Sequence, residues 1–379
     1  MSKRTSKVIP YSRQYVDESD IQAVTTVLKS DWLTQGPTTR AFEEKIADLC
    51  GAKYAVAVSS ATAALHLACI ALEPKSLWTS PNTFVASANC GRYCGAEVDF
   101  VDIDYTTLNI SVSELESKLK SQKAPDVLVP VHFAGRPAEM EQIFELSKEH
   151  GFKVIEDASH ALGAEICGEK IGSCRYSDIT VFSFHPVKGV TTGEGGVLLT
   201  NSEETYNKVV SLRSHGVQRP EGQDPWFYEQ CTLGFNYRIS DIHSALGLSQ
   251  LAKLDTFIKR KEELANTYEQ ELRELPIITP ELECSGRNAW HLYPIKLKLE
   301  EISLSKLELF NSLLEKGVRC QVHYIPVHTQ PYYQDLGFKL GDFPVSEQYY
   351  KEALSLPLFY SLSDEEHGYV ISLLKELLS

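Results

Sequence analysis

The sequence lacks paired cysteines, an excess of positive charge and long apolar runs, and each absence excludes a class of protein. Its 37 Lys and Arg residues are outnumbered by 51 Asp and Glu, a formal net charge of −14 that argues against wide contact with a nucleic-acid backbone. The nine cysteines contain no CxxC pair, and an odd, scattered set in a chain of 379 residues is typical of reduced thiols in a cytosol. We therefore predict a cytoplasmic protein that binds neither nucleic acid nor a metal ion.

One stretch, residues 54–72, is uncharged for long enough to resemble a membrane span. It contains Ser59, Ser60, Thr62 and His66, and its centre is typical of a turn, so a buried strand followed by a buried helix is the better interpretation. Residues 1–10 carry charges with no apolar segment after them, so no signal peptide is expected. We predict no contact with a membrane.

The residues that are present indicate a folded α/β protein. Hydrophobic residues make up 43% and charged residues 23%, which excludes a disordered or collagen-like chain. Short apolar runs alternate with helical patterns, as expected for strands covered on both faces of a mostly parallel open sheet. The predicted strands cover residues 55–58, 77–80, 97–101, 127–131, 154–157, 180–184 and 197–200. The predicted helices cover residues 17–28, 39–50, 138–150 and 203–214.

The pattern changes after Ser240, which indicates a second structural unit. Residues 241–272 are predicted to form one long helix, and shorter segments follow it. These are strands at residues 291–297 and 319–323 and helices at residues 305–316, 346–354 and 364–378. We predict a large α/β domain over residues 1–245 and a smaller C-terminal α+β domain over residues 246–379.

Asp157 ends the predicted strand at 154–157, the edge at which open parallel sheets bind ligands. An acidic side chain there can hold a cationic ring nitrogen or a metal, or it can simply cap the next helix. For an isolated Asp the cap is the more common role. His160, three residues later, is in isolation more often a buried core residue than a catalytic one.

Lys188 follows an apolar strand in the segment SFHPVK and precedes the glycine-rich segment TTGEGG. Partial desolvation at such a position lowers the pKa of an amine and favours Schiff-base chemistry, although a solvated turn lysine is the usual case. The lysine precedes the glycines, so the region does not fit a phosphate-binding P-loop.

Two further segments are suited to binding an anion. Small residues after Ser59 let the amides of a helix N-terminus approach a phosphate, and Thr62 adds a hydroxyl, although plain helix capping is the simpler interpretation. In the segment GFNYR, Asn236 and Arg238 could contact a phosphate, whereas Ser240 or Asp241 would cap the following helix.

Together these motifs resemble the nucleotide-sugar aminotransferase family, which uses pyridoxal 5′-phosphate (PLP) on the type I aminotransferase fold. The resemblance covers almost the whole chain, and its motifs are SxAT between a strand and a helix, EDASHA, SFHPVK, TTGEGG and GFNYR. It extends to residues 33–37, 213–216 and 321–326, and the 31-residue spacing of Asp157 and Lys188 (188 − 157) fits the family.

The resemblance implies a role for each matching residue. Lys188 would bind PLP as a Schiff base, and Asp157 would keep the pyridinium nitrogen protonated so that the ring acts as an electron sink. His160 would lie beside the ring or its 3-hydroxyl, and Phe84 would stack on the ring. The phosphate would be held by Ala61, Thr62 and Ser183, with Asn236 contributed by the other subunit of a homodimer that has shared active sites. A branch that dehydrates sugars has a histidine in place of Lys188, so this chain does not resemble that branch.

Within the family, four segments resemble the C4-aminotransferases of pseudaminic acid biosynthesis: PYS at residues 10–12, SFHPVK with TTGEGG at 183–196, ISDIHSALGLSQL at 239–251 and QVHY followed by Pro326 at 321–326. This implies L-glutamate as amino donor and UDP-2-acetamido-2,6-dideoxy-β-L-arabino-hex-4-ulose as the UDP-linked keto-sugar. The residues implied to line the sugar or cofactor pocket are Tyr11, Asp31, Trp32, Leu33, Thr34, Ala61, Ser183, Asn236, Gln321, Val322, His323 and Tyr324.

Three other functions compete with this one. A relative that aminates C3, or C4 of a different nucleotide sugar, would keep the same cofactor residues. A regulatory protein of the same fold would not need them, and the presence of Asp157, Ser183 and Lys188 argues against it. A metal-dependent enzyme is a weaker alternative, because no His, Cys and acidic residues have ligand spacing.

Overall fold

The computed structural model describes residues 8–378. The prediction that there is no signal peptide was based on residues 1–10, and residues 1–7 of that segment lie outside the described chain. The strands of the described chain are β1 (Tyr54–Val58), β2 (Ser76–Thr79), β3 (Glu97–Phe100), β4 (Val127–Val129), β5 (Lys153–Asp157), β6 (Glu165–Ile166), β7 (Glu169–Lys170), β8 (Ile179–Ser183), β9 (Gly196–Thr200), β10 (Val217–Gln218), β11 (Glu229–Gln230), β12 (Ile277–Ile278), β13 (Gly286–Arg287), β14 (Tyr293–Leu297) and β15 (Ala353–Leu356).

The first α-helix of the described chain begins at Glu18, and the α-helices are numbered in chain order. They are α1 (Glu18–Leu28), α2 (Pro37–Cys50), α3 (Ala61–Leu72), α4 (Ala86–Tyr93), α5 (Val112–Ser121), α6 (Met140–His150), α7 (Glu203–Arg213), α8 (Asp241–Leu251), α9 (Leu254–Leu272), α10 (Lys306–Glu315), α11 (Pro331–Gln334), α12 (Pro344–Glu352) and α13 (Asp364–Leu378).

The central sheet has the strand order β1-β9-β8-β5-β4-β2-β3. The pairs β8-β5, β5-β4, β4-β2 and β2-β3 are parallel, whereas β9 runs antiparallel to both β1 and β8. All seven predicted strands are present in this sheet. The predicted α/β class with a mostly parallel sheet is therefore confirmed, and β9 is its antiparallel exception.

The ends of the first two helices follow from local chemistry. Asp17 caps α1 in a capping box with Asp20, whose carboxylate accepts a hydrogen bond from the Asp17 backbone N–H. Pro37 opens α2, and Gly51 ends it with a φ of 79°, a left-handed conformation that glycine adopts without strain. Both helices begin and end close to the predicted residues.

The uncharged stretch at residues 54–72 forms β1 and α3, as predicted. Val56, Ala57 and Val58 of the strand are fully buried, and so are Leu65 and Leu67 of the helix. Within the described part of the chain, no helix combines the length and the apolar character needed to cross a membrane.

The prediction of one long helix over residues 241–272 is wrong, because the chain forms α8 and α9 with a turn at Ala252 and Lys253. At this turn the Lys253 ammonium pairs with Asp17 (2.7 Å) and Asp20 (2.8 Å) at the start of α1. The break lets α8 pack on α1 and α2 while α9 packs on α13. The predicted domain boundary at residues 245 and 246 falls inside α8, and the division into two domains stays a prediction.

The predicted strand at residues 319–323 does not form. Gln321 makes one pair of backbone hydrogen bonds, with Ser355, and the chain then leaves the sheet. The departure carries His323 to the Ser355 hydroxyl (Nδ1 to Oγ, 2.9 Å) and carries Tyr324 into the cavity described below. Ser355 lies in β15, so the helix predicted to extend to residue 354 ends instead at Glu352.

Candidate active site

A cavity of about 390 Å³ opens at the carboxyl ends of β5 and β8 and collects most of the predicted site residues. Those that line it are Tyr11, Ala61, Thr62, Phe84, Asp157, His160, Ser183, Lys188, His323 and Tyr324. A larger cavity of about 630 Å³ lies between α2 and the region of Arg213, and none of these residues lines it. The smaller cavity is the candidate site because it holds the residues that can perform chemistry.

Asp157 lies at the last position of β5 and is only 5% exposed. Its Oδ2 accepts a 2.6 Å hydrogen bond from the Ser87 hydroxyl of α4, and its Oδ1 accepts one from the Ser159 backbone N–H at 3.1 Å. The carboxylate is therefore held in a fixed orientation from two sides. A buried acidic group with this support can face a cationic nitrogen in the cavity.

Lys188 lies in the turn between β8 and β9 and projects into the same cavity. Burial lowers the pKa of its ammonium group to about 8, and the negative charge of Asp157 partly opposes that shift. At pH 7 about a tenth of the Lys188 amine is thus unprotonated, far more than for a lysine with the usual pKa. Only the unprotonated amine can act as a nucleophile or accept a proton.

The N-terminus of α3 forms the opposite end of the cavity. Ser60 caps the helix by accepting a hydrogen bond from the Ala63 N–H (3.1 Å), so the N–H groups of Ala61 and Thr62 belong to the first turn, which has no carbonyl partners within the helix. The helix dipole adds a partial positive charge. This end of the cavity is suited to an anion.

Gly196 brings the strands of this end together. It pairs with Val58 of β1 on one side and with Ser183 of β8 on the other. A Cβ at this position would lie 2.5 Å from the Ala61 nitrogen, so only glycine permits the approach of β9 to the start of α3. The Ser183 side chain is thereby carried to the same end of the cavity as Ala61 and Thr62.

His160 is buried on the wall of the cavity. Its Nε2 lies 3.3 Å from the Tyr324 hydroxyl, and its Nδ1 has no hydrogen-bond partner within residues 8–378. Burial, together with the positive charge of Lys188, holds the pKa of His160 well below its usual range. The ring is therefore neutral at pH 7 and has one nitrogen available to a ligand.

Three aromatic residues and His323 form the mouth of the cavity. Phe84 is 59% exposed, and its ring centroid lies 6.3 Å from that of Tyr324. The Tyr11 ring packs against His323 with a centroid distance of 5.3 Å. Burial and the charge of Lys188 lower the pKa of His323 to about 4, so His323 is a neutral hydrogen-bonding group.

The structure does not bring every predicted site residue to this cavity. Asn236 is exposed on an extended segment that pairs with Ser214, away from the cavity lining of its own subunit. Gln321 and Val322 precede the cavity residues without lining it. The other residues outside the lining are Asp31, Trp32, Leu33 and Thr34, all of which are exposed.

The sequence interpretation missed two residues that the structure adds to the site. Ser87 binds Asp157 from α4, three residues after Phe84, in a helix whose small residues gave no distinct signal. His291 lines the cavity just before β14, in a segment that periodicity assigned to an ordinary strand. Both contacts join residues far apart in the chain, which no local pattern records.

The residues fit PLP at this site. The buried carboxylate of Asp157 can face the ring nitrogen. Nδ1 of His160 has no hydrogen-bond partner within residues 8–378, so it can bind a polar group of the cofactor. The N-terminus of α3 offers N–H donors for a phosphate. Lys188 supplies an amine with a lowered pKa on the same cavity. These groups match the needs of the ring, the phosphate and the aldehyde of this cofactor.

Comparisons with known proteins agree with the geometry. The sequence profile of the DegT/DnrJ/EryC1/StrS aminotransferase family matches residues 14–375. The spore coat polysaccharide biosynthesis protein SpsC of Bacillus subtilis is 39% identical, and the match covers 100% of this chain and 99% of SpsC. The UDP-4-amino-4,6-dideoxy-N-acetyl-beta-L-altrosamine transaminase of Campylobacter jejuni is also 39% identical, with 96% of each chain covered.

The fold has a similar counterpart among solved structures. PseC of Helicobacter pylori, an aminotransferase involved in the biosynthesis of pseudoaminic acid, superposes with a TM-score of 0.92 at 32% sequence identity. The superposition covers 98% of this chain and 99% of that one. The likeness therefore extends over the central sheet and the C-terminal elements alike.

Proposed function

The chain belongs to the DegT/DnrJ/EryC1/StrS aminotransferase family, and from that premise we propose that it uses PLP to move the amino group of L-glutamate to C4 of a UDP-linked keto-sugar. It is a sugar aminotransferase that acts on nucleotide sugars, and the family is PLP-dependent. The proposed acceptor is UDP-2-acetamido-2,6-dideoxy-β-L-arabino-hex-4-ulose, an intermediate of pseudaminic acid biosynthesis and hence of glycosylation. The proposed location is the cytoplasm.

One observation carries the proposal: Lys188 and Asp157 share a cavity in which burial lowers the pKa of the lysine to about 8. Transamination needs an amine that binds the cofactor covalently and then transfers protons near neutral pH. It also needs an anion that keeps the cofactor nitrogen protonated. These two residues meet both requirements.

When bound, PLP supplies an electron sink for the charge that develops at Cα of the amino acid. Lys188 would hold the cofactor covalently through Nζ. The same Nζ, when free, would act as the base that accepts the Cα proton of the amino donor and as the acid that returns a proton in the keto-sugar half-reaction. Asp157 does not transfer a proton; its fixed carboxylate stabilises the positive charge on the ring nitrogen.

The other cavity residues bind and orient. The N–H groups of Ala61 and Thr62 and the Ser183 hydroxyl would hold the phosphate at the α3 N-terminus. Phe84 would cover one face of the ring, and His160 would donate to or accept from its 3-hydroxyl. Their positions fix the reactive carbon of the cofactor relative to Lys188 Nζ.

The sugar would enter past the residues at the cavity mouth. Tyr11, His323 and Tyr324 present two hydroxyls and a neutral imidazole, which suit the hydroxyl and acetamido groups of a sugar. Gln321 and Val322 adjoin this group, and we include them in the proposed sugar site.

The shared site of a homodimer accounts for the predicted residues outside the cavity. Asn236 is exposed, and Thr34 makes a backbone bridge with Ser240 four residues further along, so the two segments lie on one surface. We propose that this surface faces the other subunit, so that Asn236 and residues 31–34 reach the phosphate and sugar bound there. The same surface carries the exposed side chains of Trp32 and Leu33.

Amination of a different nucleotide keto-sugar is the second candidate. The spore coat protein of Bacillus subtilis is as similar to this chain as the altrosamine transaminase, at 39% identity each. Overall identity thus favours neither acceptor, and the preference for the pseudaminic acid sugar rests on the motifs around residues 10–12, 183–196, 239–251 and 321–326.

The deciding experiment offers the purified, PLP-loaded protein 15N-glutamate and a panel of UDP-4-keto sugars, and locates the label by mass spectrometry and NMR. We expect the label at C4 of the β-L-arabino sugar. Label at C3, or only on another sugar, would support the second candidate. Bound PLP that glutamate does not convert would support a non-catalytic relative.

A further inference from the structure

His291 lines the cofactor cavity although it comes from the C-terminal part of the chain, two residues before β14. It is 5% exposed and, like Lys188, also lines a small adjoining cavity of about 30 Å³. Neither its sequence neighbourhood nor its place in the fold gives it a role in the mechanism described above.

The backbone holds His291 in place through an unusual junction. The Ala289 N–H donates to the Gly135 carbonyl (3.0 Å) and the His291 N–H donates to the Ala134 carbonyl (2.8 Å). Ala134, Gly135 and Trp290 have φ values of 57°, 99° and 50°, in the left-handed region. A Cβ on Gly135 would lie 2.7 Å from the Trp290 nitrogen, so the two segments touch backbone to backbone.

The imidazole fixed by this junction packs on His160. The two ring centroids are 4.2 Å apart with planes inclined at 44°. The other rings around His160 are more distant, with Phe133 at 6.1 Å and Tyr324 at 6.3 Å. The one side-chain hydrogen bond of His160 within residues 8–378, to Tyr324, spans 3.3 Å and is therefore weak.

Burial, assisted by nearby positive charges, keeps both rings neutral. Burial lowers the pKa of His291, and the positive charges of Lys188 and Lys261 contribute. Lys261 is buried behind His291, and its ammonium donates to the Ala289 carbonyl at 3.0 Å. His323 and His132 are the other titratable groups that act on the pair. Two neutral rings pack without the repulsion that two imidazolium ions would suffer.

From these contacts we infer that His291 is a positioning residue: its ring packs against His160 and holds the His160 imidazole in the orientation that meets the cofactor. The inference rests on the proposed function, because it assigns His160 to the cofactor. His291 does not touch the reacting atoms in this role. The planar shape of its side chain is what the site needs.

The test compares His291→Leu, which keeps apolar volume but loses the planar ring, with His291→Gln, whose planar amide can still pack on an imidazole. Two quantities are measured on protein titrated with PLP alone: the Kd for PLP and the visible circular dichroism per bound PLP, which reports how the ring is oriented. We expect His291→Leu to raise Kd roughly tenfold, the upper range for an aromatic contact, and to reduce the dichroism by at least half. His291→Gln should restore most of both.

A matched control separates positioning from general stability. His367 is also buried, and its ring centroid lies 4.1 Å from that of Tyr268, but it belongs to α13 and does not line the cavity. His367→Leu should lower Tm and leave the Kd and the dichroism unchanged. Changes of equal size in the two Leu variants would refute the inference, as would a His291→Leu protein with wild-type values or a Gln variant as defective as Leu.

The same measurements distinguish failure of this inference from failure of the proposed function. A wild-type protein that binds PLP but aminates no keto-sugar would refute the function and leave the His291 comparison decisive, because that comparison needs only the cofactor. A wild-type protein that binds no PLP would refute both.

Discussion

The Ser87 hydroxyl donates a 2.6 Å hydrogen bond to Oδ2 of Asp157, and this bond joins helix α4 to the carboxylate on which the proposed chemistry depends. Ser87 is fully buried, and its own oxygen lies 2.7 Å from the Thr83 hydroxyl. The orientation of Asp157 therefore depends on Ser87, a residue that no sequence motif identified.

Removing that hydroxyl should slow the glutamate half-reaction. A hydrogen bond to a charged group contributes about 1.5–3 kcal/mol, so Ser87→Ala should reduce the single-turnover rate roughly 10- to 100-fold while the protein stays folded. Stopped-flow absorbance of the bound cofactor measures this rate. Ser147→Ala is the control, because the Ser147 hydroxyl donates only to the Phe144 carbonyl of its own helix. Equal rates in wild type and Ser87→Ala would show that Ser159 alone suffices to orient Asp157.

Lys188→Ala should abolish transamination, because the covalent link and the proton transfer both use that amine. In wild type, borohydride reduction followed by peptide mass spectrometry should find the cofactor attached to Lys188. Lys123→Ala, which removes an exposed lysine, should change neither result. Cofactor attached to any other lysine would overturn the assignment.

The pKa of Lys188 also predicts a pH-dependent effect on stability in the cofactor-free protein. The folded pKa of about 8 lies below the usual lysine value of 10.5, so burying the charged amine costs free energy below pH 8, and that cost disappears as the pH rises to about 10.5. Lys188→Met should therefore raise Tm at pH 7 by on the order of 2 °C, and the gain should vanish by pH 10.5. Calorimetry of both proteins across this range provides the measurement, and a gain that is constant with pH would mean that the amine is not desolvated.

The cavity mouth should affect the two half-reactions differently. His323→Ala removes a neutral imidazole that contacts Tyr11 and Ser355, on the side proposed for the sugar. We expect the keto-sugar half-reaction to slow at least tenfold and the glutamate half-reaction to change less than twofold, since one lost polar contact costs about 1–3 kcal/mol. Single-turnover assays of each half provide the comparison. Equal losses in both would indicate a general folding defect.

Mixing two inactive variants tests the shared site. If Asn236 acts in the other subunit, a heterodimer of Lys188→Ala and Asn236→Asp chains has one site with both residues intact and one with neither. Random pairing makes half the dimers mixed, so activity should recover to roughly a quarter of wild type by two-fold symmetry. The variants carry different affinity tags so that exchange of subunits can be verified. With exchange verified and both parents inactive, an absence of recovery would assign Asn236 to its own subunit.

The sequence predicted the central sheet well because its strands are short apolar runs buried on both faces, as β5 shows with four buried residues out of five. It also predicted that Asp157 and Lys188 lie at the same edge of the sheet, since Asp157 ends β5 and Lys188 follows β8. The prediction of a strand at residues 319–323 was wrong because the local pattern was misleading there. Their apolar alternation is typical of a strand, yet Gln321 pairs at one point only, because the chain must leave the sheet to deliver Tyr324.

The residues that could not be predicted act through contacts between distant parts of the chain. His291 reaches His160 across a separation of 131 residues (291 − 160), through a junction of three left-handed residues of which only Gly135 is of a type that favours that conformation. The break between α8 and α9 is similar, because Lys253 turns toward acidic residues more than 230 positions earlier. Periodicity describes one segment at a time and carries no record of such partners.

The reversed direction of β9 has a consequence for how the protein is made. Among the described strands of the central sheet, β1 pairs with β9 alone, and the two are separated by nearly 140 residues of chain. Such long-range pairing forms slowly, because the intervening chain must first be ordered. A chain released only up to residue 195 therefore contains Lys188 and Asp157 but lacks β9, the strand that pairs with β1 just before α3. The end of the pocket proposed for the phosphate can therefore form only after Gly196 has been made and β9 has joined β1 to β8.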